Sequence, residues 1–283
     1  MNLPALGGIL AGAIVLAGCS STSGPTSATA TPQSAAQATN TRAPGTTSPK
    51  SATPTPVHVA AGDPYAVGKS YMHKGQYAQA QASFKKAVQL NPKNFAAVQQ
   101  LAFAALYNRD YQASFTAFKK AAGLQPTNSR ILYYTAGAGL YAGKYPEAQT
   151  YIDEFLRYQP NSAAAYHMRL LIDGNLLDKK SQLQDAQHVA RLQPNKPDSY
   201  NDLGLAYANN SRVSAAYAAF THAIKLQPGN WQYFKNRGLV DAMGKHISTE
   251  IADLQRAVSL APTASLKKAL RSMVSHAKTA QHG

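Results

Sequence analysis

The chain has 283 residues and a formal charge of +15, from 28 basic and 13 acidic side chains, and it contains a single cysteine. One thiol excludes a disulfide within the chain. Its eight histidines lack ligand spacing, and there is no His-Glu-x-x-His pair and no glycine-rich phosphate loop. No constellation for metal, nucleophilic or phosphoryl chemistry is left, so no catalytic residue, metal or cofactor is expected and the chain reads as a non-enzyme.

The N-terminal apolar run, Ala5 to Gly18, is interrupted by Gly7, Gly8 and Gly12 and ends in Leu16-Ala17-Gly18-Cys19. It is shorter than the about 20 apolar residues needed to span a bilayer. The ending resembles the lipobox of bacterial lipoproteins, in which cleavage precedes a cysteine that is then acylated. That resemblance implies a signal peptide over residues 1–18, lipidation at Cys19, and attachment to a membrane of the bacterial cell envelope through the lipid. Ser20 stands where an aspartate would imply retention at the inner membrane. An outer-membrane lipoprotein facing the periplasm is therefore implied for a Gram-negative source, and nucleic acid is not an expected partner.

Residues 19–60 comprise the cysteine and a linker made almost entirely of Ser, Thr, Ala, Pro, Gln and Gly, with only Arg42 and Lys50 charged. So little apolar area cannot offset the entropy of ordering, and a disordered tether on the order of 35–40 Å long is expected.

From residue 61 the sequence becomes periodic. Pro92, Pro126, Pro160, Pro194, Pro228 and Pro262 recur every 34 residues without insertion. Within the first window Gly68, Ala80 and Ala87 are small while Tyr71, Tyr77 and Phe84 are large. Small residues let paired helices approach, aromatics fill the space between them, and proline stops the second helix. This pattern resembles the tetratricopeptide-repeat family over 61–264, as six windows: 61–94, 95–128, 129–162, 163–196, 197–230 and 231–264. The resemblance implies an all-α fold, an α-solenoid of six helical hairpins. Window four departs throughout, with Leu170, Lys179, Gln182 and Ala186 where small, aromatic, small and bulky residues recur. There Gly174-Asn175 is expected to end the first helix early and Gln182 to force the pair apart, through drift or as a bend that shapes the groove. Residues 265–283 place Leu266, Ala269, Leu270, Met273, Val274 and Ala277 on one helical stripe, which predicts a C-terminal capping helix.

In tetratricopeptide folds the first helix of each hairpin lines the concave surface, so the resemblance assigns a groove. Its fifth window position reads Tyr65, Gln99, Tyr133, His167, Asn201 and Lys235, and neighbouring positions add Tyr134 and Phe103. An aromatic first half and a polar second half suit a protein or peptide ligand. Tyr65, Tyr107 and Tyr141 serve equally well as packing between helices. Lys85, Lys86, Lys119 and Lys120 repeat at two positions of successive second helices. They predict a basic stripe on the outer side, open to an anionic wall polymer or lipid headgroup.

The expected function is that of a tethered protein-interaction scaffold. In length and repeat count the chain resembles the pilotin lipoproteins of type IV pilus secretins, which implies a role in assembling an envelope machine. The alternative is a periplasmic adaptor for peptidoglycan enzymes or polysaccharide-export machinery, to which a long tether and basic ends are suited.

Overall fold

A computed structural model describes residues 62–244 and 247–282. Cys19, the signal segment and the linker read from the sequence lie outside the described residues. Proline sets the rhythm of the repeats. The residue before each of the first five repeat prolines leaves the helical range, with φ of −137° at Asn91, −138° at Gln125, −131° at Gln159 and Gln193, and −143° at Gln227. Proline disfavours helical backbone in the residue before it, so each second helix stops two residues short of the ring. Two residues after the proline a polar side chain starts the next helix: Asn94 accepts from the amide of Ala97, Asn128 from Ile131 and Ser162 from Ala165. Such caps contribute about 1 kcal/mol each.

The hairpins are α1 (Pro64–His73) with α2 (Tyr77–Leu90), α3 (Phe95–Tyr107) with α4 (Tyr111–Leu124), and α5 (Ser129–Tyr141) with α6 (Tyr145–Tyr158). They continue as α7 (Ala163–Leu176) with α8 (Lys179–Leu192), α9 (Pro197–Asn209) with α10 (Val213–Leu226), and α11 (Trp231–Met243) with α12 (Ile247–Leu260). A last helix, α13 (Ala264–His282), lies on α12 and buries Leu270, Val274 and Ala277. The fold is all-α, a solenoid of six hairpins and a cap, with no strand among the described residues. No helix among them is long and apolar enough to cross a membrane. Successive first helices touch, α5 with α7 and α9 with α11, whereas no two successive second helices meet to the same extent. At these two steps the stack is therefore tighter along its first-helix side.

Each turn inside the first five hairpins carries one left-handed residue at the same window position: Gly75 (φ 69°), Arg109 (61°), Gly143 (70°), Leu177 (61°) and Ser211 (58°). Two repeats place glycine there, and three hold an L side chain in a conformation that disfavours it.

Between paired helices small meets large. A Cβ on Gly68 would lie 2.7 Å from the Phe84 ring, and one on Gly204 would lie 2.7 Å from the Phe220 ring. Repeat four reverses both contacts rather than losing them. Leu170 fills the small position and faces Ala186 where a phenylalanine would stand, and both are buried in one cluster. At the second contact Gly174 makes room for Gln182, whose Nε2 would lie 2.7 Å from a Cβ there. Two expectations are thereby corrected. The helix α7 runs through Gly174 and Asn175 to Leu176, and Gln182 sits inside a closely approached pair instead of prising it open.

Candidate protein-interaction groove

The fifth-position side chains form a row down the six first helices. Tyr65, Gln99, Tyr133, His167, Asn201 and Lys235 are all half-buried, presenting part of each side chain and anchoring the rest. The anchoring differs along the row. Tyr65 lies 5.7 Å from the Phe84 ring, and Tyr133 lies 5.2 Å from Phe155 and 6.1 Å from Tyr134. Burial, with the neighbouring Tyr134 and Tyr141, pushes the Tyr133 phenol above its ordinary value, so it stays a neutral hydrogen-bonding group.

In the second half the fifth position of one repeat meets the sixth position of the next. His167 Nε2 lies 3.0 Å from Asp202 Oδ2, and Asn236 Nδ2 donates to Asn201 Oδ1 at 2.8 Å. Lys235 ends the row with its ammonium 5.8 Å from the Trp231 ring, and burial pulls its pKa below the usual lysine value. The row thus passes from phenol rings to a polar ladder and a cation.

Phe103 does not belong to this surface. It is 8 % exposed and packs edge-on against Phe118 at 5.1 Å and Tyr134 at 4.9 Å. Tyr134, from the next repeat, covers it and also stacks on Phe118 at 5.7 Å, so only part of Tyr134 is presented. Tyr107 and Tyr141 stack on Tyr77 and Tyr111, each at 5.1 Å, and couple neighbouring repeats at the turn edge. The stripe of Lys85, Lys86, Lys119 and Lys120 is exposed on α2 and α4, on helices other than those that carry the row.

One polar arrangement escaped the sequence reading. Arg169 grips Asp185 with two bonds of 2.8 Å and reaches Asp153 at 2.7 Å. Two repeats later Arg237 grips Asp253 at 2.7 and 2.8 Å and reaches Thr221 at 3.0 Å. Hydrogen bonding to Asp185 raises the pKa of Arg169, and bonding to Asp253 raises that of Arg237, so both stay charged. Beside the first pair Asp173 is fully buried; its Oδ1 accepts from Gln149 Nε2 at 3.0 Å and its Oδ2 has no partner among the described residues. Burial, reinforced by Asp185 and opposed by Arg169, pushes this carboxyl up to about 7. The signal lay in an Arg-x3-Asp-x11-Asp spacing shared by windows four and six, visible when they are aligned with each other rather than with the aromatic pattern.

A solenoid of helical hairpins with a half-exposed row along its first-helix side defines a class of interaction scaffold. The tetratricopeptide-repeat family profile matches residues 65–94 and again, in a second form, residues 197–230. Two of the six hairpins, the first and the fifth, thus match the tetratricopeptide repeat, a family whose repeats bind protein or peptide partners. Among solved structures it is similar to a tetratricopeptide repeat protein from Parabacteroides merdae, with a TM-score of 0.63 and 17 % identity, over 76 % of this chain and 86 % of the other. It is also similar to MamA from Desulfovibrio magneticus, with a TM-score of 0.56 and 20 % identity over 59 % and 94 % of the two chains. For YrrB, described as a repeat protein with an unusual peptide-binding site, the TM-score is 0.55 and the identity 19 % over 67 % and 97 %. These likenesses concern the fold. No curated protein matches the chain in sequence.

Proposed function

We propose that this protein is a non-enzymatic scaffold held to the bacterial cell envelope by a lipid on Cys19, and that its first-helix row captures an extended or helical segment of a partner protein. The observation that carries the groove is the uniform half-burial of the fifth position in all six repeats, since a row fixed at its base and open at its tips binds with little loss of side-chain freedom. The peptide-binding site named for YrrB is consistent with that use of the fold. The anchor rests on the lipobox-like ending at Cys19 and on the Ser/Thr/Pro-rich linker after it. For a Gram-negative source the protein faces the periplasm from the outer membrane.

The finer assignment is assembly of an envelope machine of the type IV pilus and secretin type, supported by length, repeat number and anchor. The adaptor reading, toward peptidoglycan enzymes or polysaccharide export, is favoured by different observations, the long linker and the basic character of both ends of the repeat array. Capture from envelope extracts separates the two. Wild-type protein should retain a secretin or pilus component, and Tyr133→Ala with His167→Ala should lose it at unchanged helicity. Retention of murein or polysaccharide-export proteins instead would select the adaptor, and capture unaffected by the row variants would reject the groove. Cys19→Ala should leave the membrane fraction and lose acyl label.

A further inference from the structure

Repeats one and two hold eight basic residues and two acids. Both acids serve as helix caps, Asp63 toward Tyr65 and Asp110 toward Ala113. On the outer faces of α2 and α4, Lys85, Lys86, Lys119 and Lys120 are exposed, and only Lys119 has an acid within reach among the described residues, Glu147 at 3.5 Å. The stripe ends sharply. At the same two positions of repeat three stand Asp153 and Glu154, already paired with Arg169 and Arg157. Four ammonium groups on the second helices of two successive repeats therefore form a cationic face of which the fold pairs only Lys119.

The chain does not supply its occupant either. The 60 residues that precede the repeats contain no Asp or Glu. Of the thirteen acids, five are buried, three cap helices and three sit in ion pairs, so a second copy presents no free acidic cluster to complement the face. Leu90 narrows the choice further. It stands one helical turn beyond Lys86 on the same face, followed by exposed Lys93, and is 76 % exposed, whereas the equivalent Leu192 and Leu226 are 36 % and 37 % exposed. A soluble polyanion does nothing for an exposed leucine among lysines. A bilayer interface takes the charges at its headgroups and the leucine at the acyl boundary.

We infer that the outer face of α2 and α4 docks on anionic phospholipid headgroups, with Leu90 entering the interface. The inference deepens the anchored reading, because the cationic repeats are those next to the tether in sequence. A docked face would lay the first repeats along the membrane and leave the row on the other helices open to a partner.

The test uses the full chain carrying Cys19→Ser, so that no acyl group contributes, and vesicles of phosphatidylcholine with or without roughly a third of phosphatidylglycerol. Co-sedimentation at low salt should favour the anionic vesicles by on the order of tenfold or more, and added salt should erase the preference. Lys→Glu at all four stripe positions should abolish it, and Lys→Gln at the same positions should lower it with helicity intact. Leu90→Ser should weaken binding severalfold. Equal binding to neutral vesicles, or a preference that survives both lysine variants, overturns the proposal. So does a preference indifferent to Leu90→Ser and fully competed by soluble polyphosphate, which would assign the face to an anionic polymer. None of these outcomes bears on acylation, which the membrane fractionation of Cys19→Ala reads separately.

Discussion

Leu170 and Ala186 hold each other's usual places: the bulky residue stands on the first helix of repeat four and the small one on the second, both buried in one cluster. In repeats one and five the same contact is Gly68 with Phe84 and Gly204 with Phe220. The volume is kept and its ownership exchanged. Leu170→Ala should open a cavity and cost about 2–5 kcal/mol, and Ala186→Phe alone should overpack and cost about 1–3 kcal/mol. The double variant, which restores the arrangement of the other repeats, should be more stable than the sum of the singles. Denaturant melts of the four proteins give the coupling, and strict additivity would show that the two side chains do not share space.

Gln182 belongs to the second exchange. Its Nε2 approaches Gly174, and its Oε1 accepts from Asn209 Nδ2 at 3.0 Å across the repeat boundary. Gln182→Ala should therefore destabilise by roughly 1–3 kcal/mol, through an emptied space and an amide left without its acceptor. A neutral result in the same melts would mean that water replaces the side chain at no cost.

Leu177 is 80 % exposed and sits at φ 61°, where repeats one and three use glycine. Leu177→Gly removes left-handed strain of about 1–2 kcal/mol and gives back part of it as unfolded-state entropy. A net gain of about 0.5–1 kcal/mol is expected. Gly143→Leu, the reverse change one repeat earlier, should lose a comparable amount; thermal midpoints measure both.

Asp173 gives the fold a pH dependence. Its carboxyl is raised in the folded chain to about 7 from an ordinary 3.8, so the folded state binds the proton more tightly than the unfolded state. That contribution is complete below about pH 4 and is lost as the pH rises to about 7. Asp173→Asn keeps an oxygen for Gln149 and cannot ionise. It should be more stable than wild type by on the order of a few kcal/mol above pH 7, with the difference closing toward pH 4. A difference independent of pH would place the strain in packing rather than in charge.

The solenoid was legible because its strongest signals act locally. A proline constrains the residue before it whatever surrounds them, and the non-helical backbone at Asn91 and Gln125 follows from sequence alone. The row was only partly legible, because window position fixes the side of a helix and not the depth. Phe103 lies on the assigned side, but Tyr134 of the next repeat closes over it. Repeat four read as degenerate because each position was compared with its own column. Its logic is pairwise, Leu170 with Ala186 and Gln182 with Gly174, and only contacts disclose the pairs.

Beside the two halves of the row the repeats are joined by different forces, and temperature should distinguish them. Phe103, Phe118 and Tyr134 bind the second repeat to the third through apolar surface, whose driving force near room temperature is entropic and fades on cooling. His167 with Asp202, and Asn201 with Asn236, bind the later repeats through polar contacts, which do not depend on that entropy. Chilling would thus weaken the aromatic contact of repeats two and three before the polar contacts of His167 and Asn201.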